Sequence, residues 1–144
     1  SPEELVERFP LFAGLTPEQR DVLVLHFEPR TAQPGERIIR KGDKADAVYF
    51  ISSGQVEVSV GNRRIRLNPG DFFGEMALIN NQPRSADVVA LDYSKFATLN
   101  QTDFNRFLRR YPAIKEQIVK LATERGEMNR TVLEEAQEPE PAGA

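Results

Sequence analysis

The chain has 144 residues, of which 40% are hydrophobic and 28% are charged, so it can fold around a core of its own. Its formal net charge of −3 argues against a nucleic-acid-binding protein, since these proteins normally carry a basic face. It contains no cysteine, which excludes disulfides, thiol nucleophiles and cysteine-ligated zinc. No apolar run approaches the about 20 residues that a membrane-spanning helix needs.

Two helices are predicted in segment 1–28. Ser followed by Pro and two glutamates at the start of the chain is typical of a helix start, and this helix is expected to stop near Pro10. Thr16 is the predicted N-cap of a second helix, and Gln19 is placed to close a capping box with it. The second helix is expected to reach about His26.

Segment 29–100 has the pattern of a compact β unit. Glycines recur through it, and the segments between them are short and rich in Val, Ile and Phe. Turns are expected at Ser53-Gly54 and at Gly61-Asn62, where a two-residue loop suits a tight hairpin. Many short strands with regular turns predict an antiparallel β-roll or jelly roll of about eight strands. The clearest predicted strands are 48–51, 56–60, 64–67, 88–90 and 96–99.

Segment 101–135 returns to a helical period. Thr102 or Asp103 is the expected N-cap of a first helix, and Pro112 is placed to begin a second helix that runs to the end of this segment. Segment 136–144 is rich in Glu, Pro and Ala and is expected to be a disordered tail. The predicted fold class is therefore α+β, a β-roll flanked by N-terminal helices and by two C-terminal helices.

The stretch FGEMALINNQPRSADVV, at 72–88, interrupts the β unit with a predicted helical turn at 74–79. A helix N-terminus exposes free backbone N–H groups and a partial positive charge, so it favours anions. Gly74 lets a ligand approach the backbone closely, because it has no Cβ. The amides of Met76 and Ala77 would then point at the anion.

The loop that follows supplies groups suited to a phosphate joined to a sugar. Arg84 can make a forked, charge-assisted contact with a phosphate, and Pro83 before it restrains the loop. Ser85 adds a hydroxyl group, and Ser85 and Ala86 are small enough for a phosphate to lie against their amides. Glu75 suits such a site if its carboxylate accepts a hydrogen bond from a sugar hydroxyl. Together these residues predict a pocket for a phosphate joined to a ribose.

The segment GDFFGEMALINNQPRSADV resembles the phosphate-binding cassette of cyclic-nucleotide-binding domains, which we assign to 70–87. The upstream segment PGERIIRKGDKADAVYFISSGQVEV resembles the β-roll of the same family, and the resemblance covers residues 5–130 approximately. Within the family, the likeness is greatest for the cytoplasmic domains of bacterial cyclic-nucleotide-gated potassium channels.

This resemblance implies a role for each matching residue. Glu75 would bind the ribose 2′-hydroxyl, and Arg84 would bind the cyclic phosphate. The last helix would close over the base as a lid, and Arg125 on that helix would contact the base. Val58 on the β-roll would support the base, with Ile51 as a weaker candidate. The remaining implied contacts are backbone contacts from Gly74, Met76 and Ala77 and phosphate contacts from Ser85 and Ala86.

The implied ligand is cAMP or cGMP, and no cofactor or metal is expected. A Thr in place of Ser85 would favour cGMP in many relatives, so the Ser leads us to expect a preference for cAMP, with cGMP also bound. Asp87 would weaken phosphate binding if it faced inward, but its place in a predicted strand is expected to turn it away. The closing lid would shift the population of two states of the domain.

The resemblance further implies a cytoplasmic domain that regulates an attached ion channel. Because the chain begins at Ser1 rather than Met, we interpret it as a piece of a longer protein, with the channel pore upstream in an inner or plasma membrane. The isolated domain is expected to be a monomer, and the whole channel a homotetramer.

Other functions fit the sequence less well. An enzyme is not expected, because no nucleophile–base pair is suggested, and a metal-binding cupin needs several histidines where this chain has one, His26. A catabolite-activator-type transcription factor uses the same sensor, but the residues given after Val132 are acidic and Pro-rich and leave no room for a helix-turn-helix domain, so no nucleic-acid partner is expected. A kinase regulatory subunit normally carries two such domains. These two classes, together with a transporter-linked sensor, remain the alternatives.

Overall fold

The computed structural model describes Val6 and residues 9–125. These residues contain eight strands, four α-helices of known extent and a short 3-10 helix, Pro10–Phe12. The strands are β1 (Glu28–Ala32), β2 (Arg37–Ile39), β3 (Ala47–Ser53), β4 (Val56–Val60), β5 (Arg63–Leu67), β6 (Phe72–Phe73), β7 (Asp87–Ala90) and β8 (Ser94–Asn100). The helices are α1 (Pro17–His26), α2 (Glu75–Asn80), α3 (Gln101–Arg110) and α4 (Pro112–Glu124).

The eight strands form two four-stranded sheets, and the pairings between them are antiparallel. The strand order is β1-β8-β3-β6 in the first sheet and β2-β7-β4-β5 in the second. The predicted β-roll with flanking helices is therefore confirmed. Val60 pairs with Arg63, so Gly61-Asn62 is the predicted two-residue hairpin loop. The turn at Ser53-Gly54 joins the two sheets, because β3 and β4 lie in different sheets.

Three strands that the sequence pattern does not indicate, β1, β2 and β6, all lie at the edges of the sheets. β1 is mostly exposed and contains Pro29, while β2 and β6 have only three and two residues. An edge strand pairs on one side only, so it tolerates proline, charge and short length. Hydrophobic alternation is consequently weakest where these strands lie.

The first sheet has hydrophobic layers on both of its faces. Val48 and Phe50 of β3 belong to a core shared with the helices, whereas Tyr49 and Ile51 belong to the core between the two sheets. Phe50 is central to the helical side, where its ring centroid lies 5.3 Å from those of Phe9 and Phe12 and 5.5 Å from that of Phe27. The first sheet is thereby packed between the helices on one face and the second sheet on the other.

Two predicted helix starts are confirmed and one is wrong. Thr16 accepts a hydrogen bond from the Gln19 amide and donates its own amide to the Gln19 side chain, forming the predicted capping box. Pro112 begins α4 as predicted. The N-cap of α3, however, is Asn100, whose Oδ1 accepts from the Asp103 amide at 2.8 Å. The predicted caps Thr102 and Asp103 lie inside the helix, because β8 runs directly into α3 without a linker.

Some predictions fall on residues that the structure does not describe. They include most of the first predicted helix, of which Val6 is helical and fully buried. They also include the continuation of α4 beyond Arg125 and the tail 136–144. These remain predictions.

Candidate functional site

The short helix α2 connects the two sheets and begins at a glycine whose backbone conformation and close neighbours disfavour a side chain. Gly74 is its N-cap and has a left-handed backbone, with φ of 83°. A Cβ at this position would lie 2.8 Å from Nη1 of Arg84 and 3.4 Å from the carbonyl oxygen of Ala47. The absence of a side chain therefore lets the guanidinium of Arg84 lie directly against the start of the helix.

The Arg84 side chain is held by three hydrogen bonds and is 5% exposed. Nη1 donates to the carbonyl oxygen of Gly74 at 2.6 Å, and Nη2 donates to the carbonyl oxygen of Ala47 at 2.6 Å. Nη2 also lies 3.2 Å from Oδ1 of Asp46, whose side chain is exposed. These contacts join the loop after α2 to β3 and to the start of α2, so they orient the guanidinium.

A cavity lies between α2, the loop that carries Arg84 and the inner face of the second sheet. Three apolar side chains in adjacent strands form part of its wall, since Val58 of β4 is paired with Val88 of β7, and Val88 with Ile39 of β2. The full lining is Ile39, Val58, Val60, Phe73, Gly74, Glu75, Met76, Ala77, Arg84, Ser85, Ala86 and Val88. The cavity thus has one apolar wall and one wall rich in backbone and polar groups.

Eight of the nine predicted site residues line this single cavity, namely Val58, Gly74, Glu75, Met76, Ala77, Arg84, Ser85 and Ala86. Glu75 is 1% exposed, so a carboxyl group lies buried at the first position of α2. Ser85 is exposed. A cation, a carboxyl group, a hydroxyl group and small residues are therefore brought together within one compartment.

Arg125 is the predicted site residue that the structure places elsewhere. It follows the last residue of α4 and does not line the cavity. Its Nη1 donates to the carbonyl oxygen of Phe72 at 2.7 Å, and its Nη2 lies 3.4 Å from Oδ1 of Asp71. Ile51, the weaker candidate, is fully buried in the core between the sheets and is not a lining residue either.

The sequence interpretation missed several residues that shape the site. Val60 could have been found from Val58, because residues two apart on a strand share a face. Ile39 and Val88 could not, because their position beside Val58 depends on the strand register. Asp46 shows no signal in the sequence, since it lies 38 residues before the arginine that it contacts.

Phe73, which lines the cavity, is supported from behind by a stacked aromatic ring. Its ring and that of Tyr49 are nearly parallel, at 4°, with centroids 4.9 Å apart. Arg30 donates a hydrogen bond to the Tyr49 hydroxyl group. Burial raises the pKa of Tyr49 above its usual value, although the Arg30 guanidinium opposes this shift. The phenol that stacks on Phe73 is thus neutral at physiological pH.

A family model for the cyclic nucleotide-binding domain matches residues 29–111. The chain belongs to the cyclic nucleotide-binding domain family. The match begins in β1 and ends just after α3, so it includes every strand and the cavity described above. The resemblance seen in the sequence is confirmed.

Known members of the family come from several classes of protein. A cyclic nucleotide-gated potassium channel of Rhizobium etli is 38% identical over 122 residues, which are 85% of this chain and 34% of the channel. The co-crystal structure of the regulatory domain of Toxoplasma gondii PKA with cAMP has a TM-score of 0.75 at 26% identity and covers 85% of this chain and 48% of that one. The catabolite activator protein of Thermus thermophilus has a TM-score of 0.70 at 31% identity, covering 87% and 62%.

This cyclic nucleotide-binding domain spans about a third or less of the first curated relatives that it matches. Within Val6 and residues 9–125, no helix is long and apolar enough to cross a membrane. The same residues contain no group of three or more His, Asp or Glu side chains that could hold a metal ion.

Asp87 faces away from the cavity, as expected, because its Oδ1 accepts a hydrogen bond from the amide of Lys41 at 2.7 Å.

Proposed function

We propose that this domain binds a cyclic nucleotide, with cAMP preferred and cGMP also bound, and that α4 responds to the ligand and regulates an attached ion channel. The observation that carries this proposal is the single cavity that contains eight predicted contact residues. Membership of the cyclic nucleotide-binding domain family supports it. A relative that is solved with cAMP, the regulatory domain of Toxoplasma gondii PKA, supports the choice of ligand.

Arg84 is proposed to bind the cyclic phosphate. A guanidinium has five N–H donors, and the contacts to Gly74, Ala47 and Asp46 use three of them. The two remaining donors suit an anion in the cavity, and a buried guanidinium attracts a phosphate strongly because little water competes with it. Ser85 and Ala86 follow on the same loop and line the same cavity, so their small side chains leave room for the phosphate.

Glu75 is proposed to accept a hydrogen bond from the ribose 2′-hydroxyl. An ionised carboxylate is an acceptor only, so it selects a hydroxyl donor over a second phosphate oxygen. Its position beside Gly74 places it next to the backbone that Arg84 contacts. The apolar wall formed by Val58 and Val88 then suits the base, which carries the remaining apolar surface of the ligand.

The effector is proposed to be a potassium channel, because the channel of Rhizobium etli matches 85% of this chain at 38% identity. In this proposal the domain is cytoplasmic, the isolated piece is a monomer and the whole protein is a homotetramer in a cell membrane. The sensor of a catabolite-activator-type transcription factor is the second candidate, supported by the 31% identity to the Thermus thermophilus protein. A channel pore or a helix-turn-helix domain encoded in the same gene would distinguish the two.

The first test is calorimetric titration of the domain with cAMP and cGMP. Replacing Arg84 by Ala or by Lys is expected to raise the Kd for cAMP, since hydrogen bonds to charged groups contribute about 1.5–3 kcal/mol each and Lys cannot make the forked contact. Arg109→Ala, on the exposed surface of α3, removes the same charge outside the cavity and is the matched control. Equal affinities for all four proteins would contradict the phosphate assignment.

A ligand-side test avoids any question of misfolding. The unmodified domain is expected to bind 2′-deoxy-cAMP at least tenfold more weakly than cAMP, because the deoxy compound leaves the buried carboxylate of Glu75 without its hydroxyl donor. In Glu75→Gln the two ligands are expected to differ less. Equal binding of both ligands by the unmodified domain would overturn the role of Glu75 while leaving that of Arg84 standing.

A further inference from the structure

Arg125 makes three contacts with β6 and the residue before it. Its Nη1 donates to the carbonyl oxygen of Phe72 at 2.7 Å. Its Cζ lies 4.3 Å from the centroid of the Phe72 ring, within the range of a cation–π contact. Its Nη2 lies 3.4 Å from Oδ1 of Asp71, and the Arg125 side chain is only 16% exposed. These contacts fix the position of the Arg125 guanidinium.

These contacts extend the attachment of α4 to the rest of the domain. Ile118 and Ala122 are the buried residues of α4, at 1% and 0% exposure, and they lie one turn apart on one face. Arg125 follows Ala122 by three residues and so continues that face toward the β-roll. The apolar face and the guanidinium together attach the C-terminal half of α4 to the rest of the domain.

The end of β6 also forms part of the cavity wall. Phe73 and Gly74, the two residues that follow Phe72, both line it, whereas Arg125 does not. A guanidinium that stacks on Phe72 and donates to its carbonyl cannot at the same time lie over a base in the cavity. The position of Arg125 in this structure and a contact with the base are therefore alternatives.

We propose that Arg125 is a latch that holds the end of α4 on β6, and that Asp71 and Phe72 compete with the ligand for its guanidinium. This inference rests on the proposed function, because the competitor is a nucleotide base in the cavity. The latch lowers the affinity for the ligand by the cost of its release. It also couples the ligand to α4, since release of Arg125 frees the end of the helix to move.

The decisive variant is Asp71→Asn. Oδ2 of Asp71 accepts a hydrogen bond from the Asn68 amide at 2.8 Å, which an asparagine oxygen can still accept, while the charge opposite Arg125 is removed. In the ligand-free protein, hydrogen exchange of the amides at 119–125 is expected to be several-fold faster in Asp71→Asn and in Arg125→Ala than in the unmodified domain. Asp21→Asn, an exposed acid on α1, is the matched control and is expected to leave this exchange unchanged.

Affinity provides the second measurement. Asp71→Asn is expected to lower the Kd for cAMP by roughly five- to tenfold, at the lower end of the usual range of coupling between a ligand and a conformational change. The same substitution in an Arg125→Ala background is expected to change the Kd little, because there is no latch left to release. An equal gain in both backgrounds, an unchanged Kd or a raised Kd would overturn the competition.

The two measurements separate the latch from the proposed function. If exchange at 119–125 is the same in Asp71→Asn and the unmodified domain, the latch is wrong whatever the ligand does. If exchange at 119–125 is faster in Asp71→Asn but the unmodified domain binds neither cAMP nor cGMP, the proposed function is wrong. The attachment of α4 to β6 by Arg125 is then still supported.

Discussion

Gly54 shows how closely a single residue position is determined by the packing of the two sheets. It lies at the turn between β3 and β4 with φ of 88°. A Cβ there would lie 2.2 Å from Oγ of Ser94, 2.5 Å from the carbonyl oxygen of Tyr93 and 2.6 Å from Cα of Ser94. Two of these three neighbours are backbone atoms, and Ser94 is fully buried. These neighbouring atoms therefore cannot shift enough to accommodate a side chain at Gly54.

Gly54→Ala is expected to lower the free energy of unfolding by about 2–4 kcal/mol, because the backbone strain of a positive φ and a steric overlap add together. Gly35→Ala is the matched control, since Gly35 has a similar φ of 83° but nothing within 4 Å of the added Cβ. Its cost is expected to be about 1 kcal/mol. Chemical denaturation of both variants measures the difference, and equal losses would show that the contact with Ser94 costs nothing.

The sequence predicts part of this residue-level detail. A glycine after a serine between two apolar segments indicates a turn, and Gly54 does lie between β3 and β4 as predicted, although Ser53 is the last residue of β3. The close contact with Ser94 is invisible in the sequence, because it joins positions 40 apart that only the folded sheets bring together. The same limit applies to Arg84, whose anion-binding chemistry the sequence indicates but whose contact with Asp46 it does not.

Among the elements, predictions succeed where a strand or helix carries its own signal. The inner strands, which pair on both sides, have clear apolar patterns; they are β3, β4, β7 and β8. The edge strand β5 is found through the hairpin loop before it. The missed strands are edge strands, whose pairing partner is supplied by the rest of the sheet rather than by their own sequence. The N-cap of α3 is missed for a related reason, because Asn100 serves at once as the last residue of β8 and as the cap.

Asn100→Ala is expected to destabilise the domain by about 1 kcal/mol, because it removes the side-chain acceptor that caps the Asp103 amide. Thr102→Ala is the matched control, since Thr102 is exposed within the first turn of α3 and is not the cap. Its effect is expected to stay within about 0.5 kcal/mol. Urea denaturation measures the free energy of unfolding of both variants. A larger loss for Thr102→Ala than for Asn100→Ala would contradict Asn100 as the N-cap and support the position that the sequence predicted.

For the molecule as a whole, the proposed ligand site lies where the two sheets meet the short helix α2. The cavity uses residues from β2, β4, β6, α2 and β7, so its geometry exists only when both sheets are assembled. The cassette residues are close in sequence and could be predicted together, whereas the apolar wall depends on the register of three strands. A ligand that contacts both walls will therefore stabilise the entire fold rather than one segment.

A thermal unfolding series with nucleotides tests this expectation. At a cAMP concentration 100 times its Kd, the free energy of unfolding is expected to rise by about 2.7 kcal/mol, because the unfolded chain has no assembled cavity. For a chain of this size that corresponds to an increase in Tm of roughly 6–12 °C. Arg84→Ala is expected to lose most of the increase.

The control ligand, used at the same concentration, is 5′-AMP. Its phosphate is a dianion attached only to the 5′ oxygen and does not form a ring with the ribose. An equal increase with 5′-AMP would show that the cavity responds to any phosphate, and it would contradict selective recognition of a cyclic nucleotide.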